Sequence, residues 1–513
     1  MGARTIAAAL RYLIAVTALA LAWPAAADDI SATGRGVVRV VTIAVVDDEV
    51  VGFGHGSGFA ISPNRIVTNA HVVELAERYA DNVVIGIVPS EGDKSFQGKV
   101  IAYDPKRDLA LIQFDGPGLP AATLFTGPVT EGDPVVALGY PGNVDLATAQ
   151  SAADYIKPTT PIRSQGVFSG RRALEGTGVL LHTANIARGN SGGPLLDRCG
   201  RVIGVNSAVT QGQDGDASFG FAIADTELAA FLQAAKQPYA SVGFPCTSIE
   251  DRLRSDSEAS ARALASADTA RRDAAAKAAV AREEALADAR ADAEAMRENV
   301  MALAVLMLVA GALGLGIGGT LELTGRREPA LWAAGVGAVL IVGAVAVFLF
   351  RPSPRIGLPA GAAIPSATLG AAQSAGRLVC TLVPDRSRVT VSSGNDITLD
   401  WGKGGCVGGR TQFAEDGARW TRVAVPDAEQ TVSILSFDPV SRDYTNTRYL
   451  LGAQGMAAAR AARGDGKPAM CTADPAARAA LAAKQAAIRA VLPPLPNEKL
   501  VYTCSAATGA ADS

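Results

Sequence analysis

Histidine is the scarcest residue type in this chain. Three occur in 513 residues, His55, His71 and His182, and none follows position 182. Any chemistry that needs an imidazole must therefore draw on the first third of the sequence. A basic excess is missing too. Lys and Arg number 47 against 50 Asp and Glu, a net charge of −3 with the signs well mixed, so there is no basic face for nucleic acid. None of the six cysteines has Cys-x-x-Cys spacing, which argues against a zinc site; no metal and no cofactor is expected. Gly and Pro are absent from Thr247 to Asn299, leaving nothing to break a helix. Charge is absent from residues 300–321 and 329–350, two runs each about as long as a bilayer crossing.

At the start, Arg4 and Arg11 precede the apolar run "YLIAVTALALAW", followed by "PAAADD". This reads as a signal peptide over 1–27 with cleavage before Asp28; an uncleaved anchor is the other reading, and either sends residue 28 onward out of the cytosol. The cysteines agree with that compartment. Cys199 and Cys246 are expected to pair, while Cys380, Cys406, Cys471 and Cys504 allow three connectivities.

Residues 28–246 hold short β-branched runs ("VVRVVTIAVV", "LALIQF", "RVIGVNSAV") between Gly, Pro and Asp turns, the pattern of an all-β barrel or sandwich. "DTELAAFLQAAK", from Asp225, has helical spacing and should close that domain. Residues 247–299 read as a long Ala-rich charged helix. The i,i+4 pairs Glu250–Arg254, Glu258–Arg262 and Asp273–Lys277 support it. Unbroken, it would span roughly 80 Å. Leu253, Leu264 and Leu286 fall on an 11-residue spacing, so a coiled coil joining homo-oligomers and a solvated single-helix stalk both fit. The runs 300–321 and 329–350 form a membrane hairpin, with Arg326 and Arg327 in its loop on the cytoplasmic side. A Pro/Gly linker (351–376) leads to a small Cys-containing α+β domain, 377–513, with strands at "RVTVSS", "ITLDW" and "TVSILSF" and a helix at "DPAARAALAAKQAAIRAV".

One short stretch carries chemistry. Gly189-Asn190-Ser191-Gly192-Gly193 has the Gly-x-Ser-x-Gly form of a nucleophilic serine on a tight turn. In α/β-hydrolases, which share that form, the histidine follows the serine; no histidine does here, so that fold is excluded. The remaining order is His, Asp, Ser, as in chymotrypsin-like double barrels. His71, at the end of the apolar strand in "RIVTNAHVV", is the base. His55 in "GFGHGSG" reads as an exposed turn residue, and His182 as a structural strand residue. Of the aspartates between His71 and Ser191, Asp108 opens a hydrophobic strand, "DLALIQF", and is the carboxylate. The backbone amides of Gly189 and Ser191, with Asn190 adding its own, would hold the oxyanion.

The segments "GSGFAISPNRIVTNAHVV", "DLALIQF", "GNSGGPLLD" with "RVIGVNSA", and "FGFAI" resemble the four signature segments of the HtrA (Deg) branch of trypsin-like serine proteases. The resemblance covers roughly residues 35–235 and implies two six-stranded β-barrels with the site between them. It implies His71 as base, Asp108 as orienting acid and Ser191 as nucleophile. It also places Ile186, Asn206, Ser207, Ala208, Gly220, Phe221 and Ala222 around the primary specificity pocket; these are mostly small and none is acidic, which favours cleavage after small aliphatic residues. Thr183 stands where the family commonly has Asp, and no PDZ domain is evident. The expected whole is mainly β: a chymotrypsin-like double β-barrel, a helical stalk, a two-helix transmembrane hairpin and a disulfide-bonded C-terminal domain. Both folded parts would face the periplasm from the inner membrane, acting on protein or peptide substrates in envelope quality control or signalling. The rival reading is a non-catalytic envelope scaffold with a protease-like domain; a third gives specificity to the C-terminal domain as a recognition module.

Overall fold

The computed structural model describes residues 28–47, 49–210, 218–350, 376–417, 419–464 and 470–507. The expected signal peptide, and all of the expected linker but residue 376, lie outside them. The chain divides into two compact units: residues 1–256 with 371–513, and residues 257–370.

The first unit opens with α1 (Asp29–Gly34), whose first amides are capped by the Asp28 carboxylate. A closed six-stranded barrel follows: β1 (Val37–Val46), β2 (Glu49–Ser62), β3 (Arg65–Thr68), β4 (Val83–Pro89), β5 (Phe96–Asp104) and β6 (Leu109–Phe114), in the order β1-β2-β3-β6-β5-β4. Helix α2 (Ala70–Arg78) links β3 to β4. The alternation of β-branched residues fills the barrel with Val38, Val40, Ile66, Ile87 and Ile112, all buried.

After β7 (Thr123–Phe125) comes a second circuit: β8 (Pro134–Gly139), β9 (Ile162–Leu174), β10 (Thr177–His182), β11 (Pro194–Asp197), β12 (Val202–Val209) and β13 (Gly220–Ala224). It runs β11-β8-β9-β10-β13-β12 and closes through β11–β12 pairing. Helix α3 (Gly142–Thr148) lies between β8 and β9, α4 (Asp225–Ala234) follows β13, and β14 (Ala240–Val242) pairs with β7. The barrels share a core that includes Phe59, Leu109, Leu111, Tyr140, Val205 and Phe231, and that seam is where loops from both can meet.

The C-terminal residues of this unit form a nine-stranded antiparallel sheet of β15 (Gly376–Leu382), β16 (Ile397–Gly402), β17 (Cys406–Val407), β18 (Thr411–Gln412), β19 (Ala414–Asp416), β20 (Arg419–Ala424), β21 (Thr431–Asp438), β22 (Asp443–Leu450) and β23 (Glu498–Ala506). "ITLDW", "TVSILSF" and the helix Pro475–Ala490 stand where the sequence puts them. "RVTVSS" does not form a strand. Its pairing stops at a single bridge from Arg388 to Lys499; the amides at Thr390, Val391 and Ser392 all donate to one oxygen of the fully buried Glu498 (2.6–2.9 Å), so the rest of the segment curls around a carboxylate.

This sheet is not a free appendage. Val242 from β14 lies in its core with Trp401 and Phe437, and the Thr123 hydroxyl donates to the Ser392 carbonyl at 3.1 Å. Arg388 pairs with Asp29 of α1 and donates to the Asn497 and Thr247 carbonyls. Asn497 donates to the other Asp29 oxygen at 3.0 Å. The structure links Cys199 to Cys246, Cys380 to Cys504 and Cys406 to Cys471.

Helix α5 (Ile249–Leu323) begins in the first unit, where Asp256 pairs with Lys499, and continues into the second without a break. Glu258–Arg262 and Asp268–Arg272 pair along it; near its start Arg254 meets Asp251, not the expected Glu250. Helix α6 (Arg327–Leu349) completes the second unit. Its Gly337 packs on the backbone of Gly311 and Gly314, a spacing that only small residues permit. Both helices are long and apolar enough to cross a membrane.

Candidate active site

His71 occupies the first turn of α2 and Asp108 the residue before β6; β3–β6 pairing brings the two segments side by side. His71 Nδ1 lies 2.9 and 3.0 Å from the two Asp108 oxygens, and the His71 backbone amide donates to the same carboxylate at 3.1 Å. Asp108 is in the left-handed region (φ 55°), which costs a non-Gly residue on the order of 1–2 kcal/mol. Three donors hold it there: the His71 amide, Asn69 Nδ2 on its carbonyl at 2.8 Å, and the Ser207 hydroxyl on Oδ2 at 2.7 Å. A carboxylate so fixed orients the imidazole and stabilises its cationic form.

Ser191 lies in the loop between β10 and β11, on the far wall of a cleft of about 510 Å³ that His71 also lines. Its hydroxyl donates to the Ser207 carbonyl at 2.9 Å, not to His71. Ser191 and the His–Asp pair thus share one cavity, with the serine hydroxyl bonded to the Ser207 carbonyl.

The loop's amides divide in two. Gly192 donates to the Asn206 carbonyl (2.8 Å) and Gly193 to the Asn190 carbonyl (3.0 Å), while Asn190 donates to Ala187 at 3.0 Å. The amides of Gly189 and Ser191 donate to no group among the described residues. Asn190 therefore does not add a donor to the cleft: its N–H closes the Ala187–Asn190 turn. Glycine is required at the third turn position, where φ is +97°.

Of the seven residues expected around the specificity pocket, Ile186, Ser207 and Ala208 line the cleft, together with Ala187 and Val209. Asn206, Gly220, Phe221 and Ala222 do not. Asn206 is fully buried and donates to the Pro194 carbonyl at 3.0 Å, Ala222 sits inside the second barrel, and Phe221 packs into the seam between barrels. Gly220 abuts His182, so closely that a Cβ there would lie 2.3 Å from the ring. The β12–β13 pairing shifts register between Asn206 and Ala208, and past that point Ser207, Ala208 and Val209 all reach the cleft while Asn206 stays buried.

His182 is fully buried, and burial holds its pKa down to about 4, so it is neutral. It plays no part in the cleft. His55 is not the exposed turn residue that its Gly-rich setting suggests. It lies within β2, is largely buried, lines the cleft, and sits 3.2 Å from both the Tyr140 carbonyl and Asp145. Ser207 has a larger role than pocket wall, since its hydroxyl holds Asp108 and its carbonyl holds Ser191. The sequence signal available for it was only its place in "RVIGVNSA". His55 had none beyond being one of three histidines.

A family model described as trypsin-like peptidase domain matches residues 56–205. The serine protease Rv3671c of Mycobacterium tuberculosis (strain ATCC 25618 / H37Rv) is 33% identical over 203 residues, 40% of this chain and 47% of that protein. The periplasmic serine endoprotease DegP of Escherichia coli (strain K12) is 34% identical over 172 residues, a third of each chain. The chain thus spans about half the length, or less, of the curated relatives it matches. Among solved structures, the active form of the Rv3671c protease is 27% identical, covering 42% of this chain and 87% of that one, with a TM-score of 0.32.

Proposed function

Since residues 56–205 form a trypsin-like serine protease domain, we propose that this chain is a membrane-tethered, extracytoplasmic serine endopeptidase working through Ser191, His71 and Asp108. The observation that carries this reading is the His71–Asp108 pair, doubly contacted at 2.9 and 3.0 Å, opening on the same cleft as Ser191. In the working cycle the Ser191 hydroxyl leaves the Ser207 carbonyl and turns to His71 Nε2. As Ser191 Oγ attacks the scissile carbonyl, Nε2 takes its proton, and Asp108 stabilises the resulting imidazolium. The oxyanion is held by the Gly189 and Ser191 amides. His71 then returns the proton to the leaving amine, and water hydrolyses the acyl-enzyme by the same relay.

The cleft walls, Ile186, Ala187, Ala208 and Val209, are aliphatic and Arg188 is the charged rim residue, which supports cleavage after small aliphatic side chains. Two apolar helices supply the tether, with both folded parts outside. Misfolded or signalling proteins of the envelope are the substrates. The bond of the Ser191 hydroxyl to the Ser207 carbonyl gives the scaffold reading its one specific support. Labelling of the full chain in detergent with a fluorophosphonate, beside Ser191→Ala, separates the two. Wild-type labelling that the variant loses is the expected result; equal absence of labelling refutes the enzyme.

A further inference from the structure

The peptide that presents the Gly189 amide is held from behind by one short segment, Tyr140–Gly142. The Gly142 amide donates to the Arg188 carbonyl at 2.7 Å. A trans peptide points its N–H opposite its C=O, so this bond aims the Gly189 N–H away from Gly142. The Ser57 hydroxyl receives the Tyr140 amide (2.9 Å) and donates to the Gly189 carbonyl (2.6 Å). The packing leaves no slack: a Cβ on Gly189 would lie 2.3 Å from the Tyr140 oxygen and 2.8 Å from His55 Nε2.

His55, two residues before Ser57 on the same strand, is a second tie of this segment to the first barrel. Its Nε2 is 3.2 Å from the Tyr140 carbonyl and 3.2 Å from Asp145 Oδ2. Both are acceptors, so the ring carries its proton on Nε2. That N–H is directed at Tyr140, and the Asp145 oxygen lies off the hydrogen-bond line. Burial pushes the imidazole pKa below its ordinary value, against the pull of Asp145, which keeps the ring a neutral donor at pH 7. Asp145 is itself fixed by Arg39 at 2.7 Å, and Arg39 also donates to the Tyr155 carbonyl at 3.0 Å. The Phe53 and Tyr155 rings flank His55, with centroids 6.4 and 5.5 Å away.

We propose that His55 is a positioning residue of the oxyanion site: its Nε2–H locks the Tyr140 carbonyl, and through Gly142 and Ser57 that lock aims the Gly189 amide at the reacting carbonyl. This rests on the reading of Ser191 as nucleophile. His55 lines the cleft but touches no reacting atom, so its loss should act more on the transition state, where the oxyanion forms, than on substrate binding.

The test uses the full chain in detergent with His55→Phe, His55→Leu and His55→Gln beside the wild type and Ser191→Ala. Phe keeps a ring between Phe53 and Tyr155 but has no donor; Leu is a smaller side chain without a donor; Gln keeps an N–H but not the ring. Turnover of a fluorogenic peptide with a small aliphatic residue before the scissile bond gives kcat and KM. Hydrogen–deuterium exchange reports residues 138–145 and 186–192 against the barrel strands. Phe and Leu should lower kcat about tenfold to a hundredfold, short of the 10²–10³ that follows deletion of an oxyanion donor, with KM changing less than kcat. Exchange should quicken in the two segments alone, and Gln should stay within about threefold of wild type. Wild-type kcat in either donorless variant whose strands exchange normally overturns the proposal, and so does an equal loss in Gln. Failure of the wild type to label with a fluorophosphonate instead refutes the nucleophile, a separate outcome.

Discussion

Replacing Arg388 by Met should destabilise the first unit far more than the removal of one surface ion pair. The Arg388 side chain is 5% exposed and that of Asp29 is 10% exposed, so neither charge is repaid by water. Met keeps much of the volume but removes the Asp29 contact and the donors to the Thr247 and Asn497 carbonyls. Asp29 is left buried with Asn497 Nδ2 as its remaining side-chain partner. Breaking a buried pair from one side costs about 3–5 kcal/mol. For a unit of this size that is a fall in Tm on the order of 5–10 °C. Two controls tie the loss to the orphaned charge. Asp29→Asn in the Arg388→Met background should recover about 2 kcal/mol, because it removes the charge and keeps a polar side chain beside Asn497. The deficit should also depend on pH. Burial already holds the Asp29 carboxyl above its ordinary value, and loss of the guanidinium raises it further. The folded variant therefore binds a proton that the unfolded chain does not, and its deficit shrinks as pH falls from neutral toward 4. Urea denaturation at pH 7.5 and 4.5, followed by tryptophan fluorescence, measures all three effects. A single variant within 1 kcal/mol of wild type, or a double variant no more stable than the single, would refute the reasoning.

Two further outcomes follow from the same contacts. Ser207→Ala removes a 2.7 Å hydrogen bond to the Asp108 carboxylate and leaves the Ser207 carbonyl in place. A hydrogen bond to a charged group is worth about 1.5–3 kcal/mol of stability, so Tm should fall by a few degrees, and kcat/KM for a peptide substrate should fall at least tenfold as the carboxylate loses its anchor. His182 is held down to about 4 against an ordinary value of 6.5. Between those values the unfolded chain takes up a proton that the fold refuses, so stability falls as pH drops through that window. At 1.36 kcal/mol per pH unit the loss reaches about 3 kcal/mol. A His182→Met variant should show a flatter pH profile of urea midpoints over pH 6.5–4, and an unchanged slope would count against the assignment.

The chemistry was legible because it is local. "TNAHVV", "DLALIQF" and "GNSGGPLLD" each carry one residue of the proposed triad on a short element, and the histidine order alone eliminates one hydrolase fold. Contacts made across the fold were not legible. Nothing near "GHG" reveals that His55 meets Asp145, 90 positions on, because β2 and α3 come together only when the barrels pack. Asn190 looks available as a donor until the turn from Ala187 uses its amide. The small residues of β12 and β13 were read as one pocket wall, but the register shift after Asn206 leaves Ala208 at the cleft while Ala222, paired with Asn206, lies in the core. "RVTVSS" has the composition of a strand and lost that role to Glu498, 106 positions or more away. In each case a long-range partner overrode a sound local preference.

The contact between Asp29 and Asn497 spans 468 positions, close to the full length of the chain. Synthesis runs from the N-terminal side, so α1 must wait for the far C-terminal residues before its buried carboxylate finds Arg388 and Asn497. Contacts of such separation form late and slowly. Until then the barrels would exist with an unfinished flank, Val242 and Phe244 uncovered. The fold thus has a built-in order of completion, in which an early segment is among the last to be secured.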